Sequence, residues 1–391
     1  ARVSAGAEPV AGGTVTGAGL YNAGARVTLT PRPAAGYTFL RWEDGSQVAR
    51  RSIIVGGAGL AATAHFKLTA EIEPPELANP GPQQAMVGVL FGLPLEVTSD
   101  SLPKVSVSGL PAGLRFDATA MAITGAPSVA TAAKTVTITA KNVNPTTVTE
   151  TFEITVAALP TWAWGAFNGW CLHGSLGEGT ISLDVTSKGQ ISGKLSVAGT
   201  NYSFKAASYL RIDEDGALWL FAEAVAGKGR VPLMLKVYRT PPPAPQVGKT
   251  AEGFTPPDGL SMVEGWFGEG GEAPADIVMY RNVWKEEGLS AVIAEYVGYY
   301  TATLPVEAGV GTRALGDESV VEKLAAASDV PAGSAYLTLT VQSAGTVKVG
   351  GRLADGTNVS LSGALVLDDL GRLWTAVYSA PSTYKGGILF G

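Results

Sequence analysis

The chain has 391 residues, among them 50 glycines and 24 prolines, and only 16% of its residues are charged. Abundant turn formers and few charges favour short strands over long salt-bridged helices, and this length suits roughly two to four domains. The net charge of −6 and the lack of a basic stripe interleaved with aromatic residues argue against a nucleic-acid partner. No apolar run reaches about 18 residues, so no transmembrane helix is expected in this stretch. We therefore expect an all-β, multidomain protein.

The first predicted module covers residues 1–70. Its strand-like alternations, such as residues 26–30 and 38–42, are separated by glycine-containing turns. The order G-G-x-V-x-G, Y-x-x-G-x-x-V-T-L-T, P-x-x-G-Y-x-F-x-x-W and A-x-F resembles the divergent internalin B-type repeat of bacterial surface proteins. This resemblance implies a small β-rich module with spacer or adhesive roles. The matching positions are expected to be core and turn residues: Gly13, Val15, Gly17, Tyr21, Gly24, Val27, Leu29, Gly36, Tyr37, Phe39, Trp42 and Phe66.

A second module is predicted over residues 84–157. Residues 71–83 are proline-rich and predict an extended, semi-rigid linker before it. The motifs G-L-P-A-G-L-x-F-D and I-T-G-x-P, followed by two long alternating strands, are similar to immunoglobulin-like (cadherin-like) domains of bacterial surface proteins. The resemblance implies a β-sandwich. Alternation predicts five core side chains: Val136, Ile138, Phe152, Ile154 and Val156.

The third region, residues 159–391, contains a duplication. The sequence ISLDVTSKGQISGKLSVAGT of residues 181–200 recurs as LTLTVQSAGTVKVGGRLADGT at residues 337–357. Its alternation and glycine turns predict a β-meander or barrel-like domain in each copy, over residues 159–290 and 291–391. The unit resembles a duplicated β-domain of large bacterial exoproteins, which implies no particular activity. The alignment makes three equivalent pairs: Leu183 and Leu339, Val185 and Val341, and Leu195 and Leu353.

Copy two stops before an equivalent of the strand-like run at residues 276–281 of copy one. We therefore expect the protein, or a partner chain, to continue beyond residue 391.

Each copy also carries an insertion. Residues 238–259 of copy one are proline-rich and predict an exposed polyproline-like loop. In copy two, Asp317 or Ser319 is a candidate cap for the chain's main helix, predicted over residues 317–327.

Residues able to carry catalysis or bind a metal are sparse. The chain has two histidines, His65 and His173, and one cysteine, Cys171, so neither a zinc site nor a catalytic Cys/His or Ser/His/Asp set is expected. Cys171 is interpreted as a buried strand thiol, with a disulfide between two chains as the alternative. Some relatives of the second module bind Ca²⁺, but Asp100 and Asp117 alone supply too few oxygens. No catalytic, cofactor or metal site is assigned.

Acidic residues cluster in sequence near Trp266 and Trp284. Paired carboxylates support glycoside hydrolysis, but in a β-rich chain such acids more often line edges and turns. The acidic turns at residues 213–216 and 368–371 recur in both copies, and this favours turn chemistry over metal binding. The clustered acids are Glu264, Glu269, Glu272, Asp276, Glu286 and Glu287.

Aromatic residues support the main functional alternative. Trp219 and Trp374 recur in Leu-Trp pairs and are predicted core residues, which leaves Trp162, Trp164 and Trp170 as candidates for a glycan-binding face.

The preferred hypothesis is a non-enzymatic structural or adhesive segment of an extracellular or cell-surface, fibre-like bacterial protein. It would act by spacing and by self-association, with strand addition at an edge of the third region. The alternatives are a carbohydrate-binding surface protein and an accessory segment of a hydrolase.

Overall fold

The computed structural model describes residues 1–173, 177–239, 260–268, 276–286, 289–304, 335–354, 356–369, 371–380 and 389–390. The described residues are nearly all strand and turn, so the all-β prediction is confirmed. The chain divides into two compact units. The first comprises Ala1–Met86 and Phe91–Ala157, and the second comprises Val87–Leu90 and Ala158–Gly391. Among the described residues, no helix is long and apolar enough to cross a lipid bilayer.

The first module of the first unit packs two sheets around one core. The sheet orders are β3-β1-β7-β5 and β2-β4-β6, and β1 pairs with β7 in parallel. Trp42 lies at the centre, with its indole nitrogen donating to the Val48 carbonyl at 3.1 Å and its ring edge-on to Phe39. The strands are β1 (Arg2–Glu8), β2 (Gly13–Thr16), β3 (Gly19–Leu20), β4 (Arg26–Pro33), β5 (Tyr37–Trp42), β6 (Arg51–Ile54) and β7 (Leu60–Leu68).

The positions matched to the surface repeat serve as core and turn residues in this module. Val27, Leu29, Trp42 and Phe66 are buried together in its hydrophobic core. Gly17 has a φ of 98°, and a side chain there would overlap the Thr28 carbonyl, so only glycine fits this turn. The sequence pattern therefore encodes fold at these positions.

The second module of the first unit is a β-sandwich. Its sheets have the orders β12-β15-β16-β9, β10-β14-β13 and β8-β11. The five predicted core side chains are all buried. Its strands are β8 (Glu76–Leu77), β9 (Gln83–Met86), β10 (Phe91–Pro94), β11 (Val97–Thr98), β12 (Lys104–Ser108), β13 (Leu114–Asp117), β14 (Ala122–Gly125), β15 (Thr131–Lys141) and β16 (Val148–Ala157).

The segment that the sequence predicts to be a linker, residues 71–83, is partly built into this sandwich. β8 pairs with β11, and Asn79 donates to Glu150 and to the Thr151 carbonyl, each at 2.9 Å. The extended conformation that proline favours is therefore used for strand pairing.

Copy one of the duplication forms a closed barrel in the second unit. Its strands follow one another around the sheet, β17 pairs with β25, and β20 meets β22 at Ser203 and Val225 to close the ring. Alternate side chains, including Phe167 and Cys171, fill the interior. The strands are β17 (Gly165–His173), β18 (Gly177–Val185), β19 (Ile191–Val197), β20 (Thr200–Ala206), β21 (Arg211–Ile212), β22 (Leu218–Ala226), β23 (Gly229–Arg239), β24 (Ser261–Phe267) and β25 (Asp276–Arg281).

Copy two forms an open sheet of order β26-β27-β28-β29 in the part of the chain that the structure describes. Its apolar face is covered by the buried Trp284 and by the short helix α1 (Leu289–Ala294). The strands of copy two are β26 (Gly298–Leu304), β27 (Ala335–Val341), β28 (Thr346–Arg352), β29 (Asn358–Ala364), β30 (Val366–Leu367), β31 (Leu373–Trp374), β32 (Tyr378–Ser379) and β33 (Leu389–Phe390).

Strand register supports the duplication and corrects one equivalence. Leu183 pairs with Phe167 as Leu339 pairs with Tyr300, and Val185 pairs with Ile191 as Val341 pairs with Val347. Leu195, however, pairs with Ile181, and the corresponding position opposite Leu337 is Gly351. Leu353 instead lies in the β28–β29 turn, where its backbone nitrogen donates to Thr357. The alignment of Leu195 with Leu353 was wrong because the β28–β29 turn of copy two is longer than the β19–β20 turn of copy one.

The helix expected over residues 317–327 lies outside the described residues, as does most of the proline-rich insertion of copy one. The described helix, α1, was missed by sequence analysis. Its buried residues Leu289 and Ile293 pack with the half-buried Val292 and Tyr296, which is the i, i+3, i+4, i+7 spacing of an amphipathic helix. That spacing was a usable signal.

Candidate functional site

Cys171 lies inside the closed barrel of copy one. It is fully buried on β17, and burial raises the pKa of its thiol to about 12. A thiolate is the reactive form of cysteine, so this residue is inert at neutral pH. Its burial argues against the alternative of a disulfide between two chains, because the sulfur lies inside the folded barrel.

Among the described residues, the acidic side chains near Trp266 and Trp284 do not form a paired carboxylate site. Glu264 is exposed on β24, and Glu286 forms an ion pair with Arg281. Asp276 begins β25, whereas Glu269, Glu272 and Glu287 lie outside the described residues. Trp284 is a core residue whose indole nitrogen donates to the Leu365 carbonyl at 2.7 Å.

The two aspartates considered for Ca²⁺ have structural partners in the first unit. Asp100 forms an ion pair with Lys67 at 2.7 Å. Asp117 accepts backbone hydrogen bonds from Ala120 and Thr119, and these bonds lower the pKa of its carboxyl group. In the described part of the chain, no three His, Cys, Asp or Glu residues cluster as metal ligands.

The recurring acidic turns share the same hydrogen bonds. Asp213 accepts from the backbone nitrogen of Ala217 at 2.8 Å, and Asp368 accepts from that of Arg372 at 2.8 Å. Asp213 also accepts from the Trp219 indole at 2.9 Å, and this bond is the main cause that lowers the pKa of its carboxyl group to about 2. Both aspartates therefore serve turn formation.

The three candidate glycan-binding tryptophans are half-buried and belong to two neighbouring segments. Trp162 and Trp164 lie in and beside a 3-10 turn, residues 161–163, which is anchored by a 2.6 Å bond from the buried Tyr209 hydroxyl to the Ala163 carbonyl. Trp170 lies on β17, on the face opposite the buried Phe167 and Cys171. None of the three presents a largely exposed ring.

Sequence analysis missed a row of apolar side chains on the outside of the barrel. Phe221 on β22 pairs with Met234 on β23, which pairs with Trp266 on β24. Phe221 is 46% exposed and Trp266 is 36% exposed. Adjacent strands lie about 4.8 Å apart, so the Cα atoms of Phe221 and Trp266 are roughly 10 Å apart. Only the strand register brings these residues together.

The open sheet of copy two carries a second group of exposed aromatic residues. Tyr299 is 67% exposed and Tyr300 is 45% exposed on β26, and Tyr336 on β27 is also exposed. Tyr299 and Tyr336 share the outer face, whereas Tyr300 shares the inner face with Ala302. Three aromatic rings do not form one flat exposed row here.

Copy two also covers part of the outside of the copy-one barrel, within the second unit. Met262 and Tyr280 on the barrel pack with Val366, and Trp374 lies edge-on to Tyr280 with ring centroids 6.3 Å apart. The Tyr280 hydroxyl donates to Asp369 at 2.7 Å. Burial is the main cause that raises the pKa of Tyr280, and this hydrogen bond adds to it. The two copies therefore share a packed surface.

Polar contacts join the two modules of the first unit. Gln47 donates to the Ser99 and Asp100 carbonyls, each at 3.2 Å, and Lys67 pairs with the Asp100 carboxylate. Beside them, Asn144 donates to the carbonyl of the buried Ile72 at 2.7 Å. These bonds fix the connection at the start of the predicted linker. We call this group of contacts the module joint.

Family models match two parts of the chain. Residues 3–70 match the family described as "Divergent InlB B-repeat domain", and residues 74–157 match the family described as "Putative Ig domain". A search of curated proteins found no match.

Several solved structures share local likeness with the chain. A protein described as a "putative alpha-galactosidase/melibiase" from Bacteroides fragilis is 19% identical, with 24% of this chain and 19% of that chain covered and a TM-score of 0.20. Immunoglobulin domains 1–4 of Sidekick-1 are 11% identical, with coverage of 68% and 96% and a TM-score of 0.21. Extracellular domains 3–5 of Drosophila OTK are 9% identical, with coverage of 64% and 68% and a TM-score of 0.20.

The chain spans about a fifth of the length of that galactosidase, and at these TM-scores none of the solved structures carries an argument about function. The two family matches cover the segments whose turn and core residues are described above. The chain therefore contains a divergent InlB B-repeat followed by an Ig-family domain, in the order that its motifs predict.

Proposed function

We propose that this chain is a non-enzymatic structural and adhesive segment of a secreted or cell-surface, fibre-like bacterial protein, acting by spacing and by self-association. Its B-repeat and Ig-family modules both point to structural roles. The residues that match these families are core and turn residues rather than reactive groups. Protein contacts are therefore the expected means of action.

The module joint is the observation that carries this proposal. A flexible connection would leave two independent beads, whereas Gln47, Lys67 and Asn144 of this chain make specific bonds across the junction. The two modules accordingly form one compact unit. A spacer keeps its length only when neighbouring modules are held in a fixed geometry, because free hinges shorten the mean end-to-end distance.

Calorimetry of the full chain tests the spacer role. We expect the two modules to unfold in one transition, and we expect Asp100→Ala combined with Asn144→Ala to split that transition or broaden it. Arg230→Gln is the control, because it removes an ion pair, with Glu223, that lies in the second unit and away from the joint. Separate transitions for the two modules in the unaltered chain would contradict a rigid spacer.

Glycan binding is the second candidate, and the row of Phe221, Met234 and Trp266 favours it. Rings stack on the C–H faces of sugars, and two rings on strands roughly 10 Å apart suit alternate units of an extended polysaccharide chain. Retardation in gels that contain soluble polysaccharides should fall when Phe221 or Trp266 is replaced by alanine. The competing candidates are Trp162, Trp164 and Trp170. Comparing Trp170→Phe with the Phe221 and Trp266 variants shows which of the two sites binds the polysaccharide. No retardation by any polysaccharide would remove this candidate.

A further inference from the structure

The edge strand β26 of copy two lacks the protection that edge strands usually carry. Its sequence, GYYTATL, has no charged residue and no proline, and its pairing with β27 is regular, without a bulge. Among the described residues, β27 is its sole strand partner. Charges, prolines and bulges are the usual means by which edges avoid pairing with another chain. In the part of the chain that the structure describes, the other side of β26 therefore carries no strand and can accept one.

The equivalent edge of copy one is occupied. β17 has the same register to β18 as β26 has to β27, and its other side pairs with β25. Phe167 is 0% exposed in that setting, whereas Tyr300 at the equivalent position is 45% exposed. The Tyr300 hydroxyl donates to the Tyr296 carbonyl at 2.7 Å, so its ring is held beside the segment that leads into β26. Within the described residues, a strand beside β26 is what copy two lacks relative to copy one.

A difference at one position argues against closure of copy two in the manner of copy one. β25 approaches β17 so closely that a side chain at Gly169 would overlap the Val278 carbonyl. The equivalent residue of β26 is Ala302, whose Cβ obstructs a strand in that position. Ordinary antiparallel pairing in a flatter sheet accommodates alanine. The edge therefore favours extension of the sheet over barrel closure.

We infer that β26 pairs antiparallel with β26 of a second copy of this chain, about a two-fold axis at Thr301. This inference rests on the self-association in the proposed function and identifies the surface responsible. Centring on Thr301 uses all seven residues of the strand. It places Tyr300 opposite Ala302 and Tyr299 opposite Thr303 of the other copy.

The strand is self-complementary in this register. Each tyrosine ring faces a small side chain, and no like charges are opposed. An isologous interface of this kind is the usual basis of a symmetric dimer. Pairing of one strand gives a small interface, so we expect a weak dimer whose population rises with protein concentration.

Disulfide trapping in the full chain tests the register. Thr301→Cys places a thiol opposite itself at the two-fold axis, and we expect rapid formation of a covalent dimer on mild oxidation. Cys171 is buried and does not compete. Thr303→Cys alone should cross-link poorly, but it should cross-link to Tyr299→Cys when the two proteins are mixed. Ser192→Cys is the control, because Ser192 is exposed on a strand paired on both sides.

Charge exchange tests the same contact without a covalent bond. Thr301→Lys and Thr301→Glu should each abolish the concentration-dependent rise in mass by light scattering, and their equimolar mixture should restore it. Ser192→Lys should dimerise like the unaltered chain, and circular dichroism should show every variant folded. Dimers that persist in Thr301→Lys, or thiols that fail to link at Thr301, overturn the β26 contact but leave self-association standing. A monomer at all concentrations overturns both, whereas the spacer role is judged separately by calorimetry.

Discussion

The two copies of the duplicated sequence share four strands in the same order, but one forms a closed barrel and the other an open sheet in the described residues. In copy one, β25 completes the ring beside β17. In copy two, α1 and Trp284 cover the apolar face instead. The comparison shows that the repeated sequence specifies strand order and the pairing of the first three strands, while the segments outside the repeat decide how the apolar face is buried.

Trp284 provides the largest test of this comparison. It is buried in the copy-two core and donates a hydrogen bond to Leu365. Trp284→Ala should lower the free energy of unfolding of copy two by about 3–5 kcal/mol, because it leaves a large cavity. Denaturant unfolding of the full chain, with hydrogen exchange to locate the change, measures this. Trp266→Ala is the matched control, since its ring lies on the surface, and an equal loss there would contradict the assigned core.

Exchange of the residues at one equivalent position gives the next largest effect. Gly169→Ala should destabilise copy one by about 1–3 kcal/mol, because the methyl group overpacks the β17–β25 contact. The reverse change in copy two, Ala302→Gly, should cost only about 0.5–1 kcal/mol from added backbone freedom. Hydrogen exchange of the β17 amides measures the destabilisation of copy one, and that of the β26 amides measures the destabilisation of copy two. Equal effects would mean that both sheets close alike.

Asp213 predicts a difference in acid sensitivity. Because its pKa is lowered to about 2 in the folded protein from 3.8, its contribution to stability is present above about pH 4 and is lost as the pH falls towards 2. Asp213→Asn should therefore flatten the pH dependence of unfolding across that window, with little change in slope at neutral pH. Unfolding midpoints at a series of pH values test this, with Asp215→Asn, an exposed neighbour in the same turn, as control.

The smallest effect concerns reactivity rather than stability. Cys171 should react with a thiol reagent at least about a thousandfold more slowly in the native chain than in denaturant, because reaction requires the closed barrel to open. A thiol introduced by Thr303→Cys on the open sheet should react at once. Fast reaction of Cys171 under native conditions would show that the barrel opens readily.

Local patterns predicted the features that depend on near neighbours. Alternation identified Val136 and Ile154 as core residues, and glycine spacing identified turns such as that of Gly17. Trp266 and Trp284 look alike in the sequence, yet the first lies on the surface and the second in the core. That distinction depends on the packing of α1 and β29–β31, and no local pattern contains it.

The candidate surfaces were predicted only in part. Strand addition at an edge of the third region was expected, but the particular edge follows from a pairing, β17 with β25, between strands far apart in sequence. The row of Phe221, Met234 and Trp266 likewise requires the register of three strands. A one-residue slip in that register would send each side chain to the opposite face. Periodicity alone cannot supply the register.

The strands at the two ends of the B-repeat have a mechanical consequence. β1 and β7 run parallel, paired from Val3 with Leu60 to Glu8 with His65, and the Ig-family module pairs β9 with β16 in the same sense. Force that stretches either module between its ends therefore acts along the strands. The interstrand hydrogen bonds are then sheared together, whereas a ladder peeled from one end would break them in turn. Each module should withstand stretching better than its equilibrium stability alone suggests.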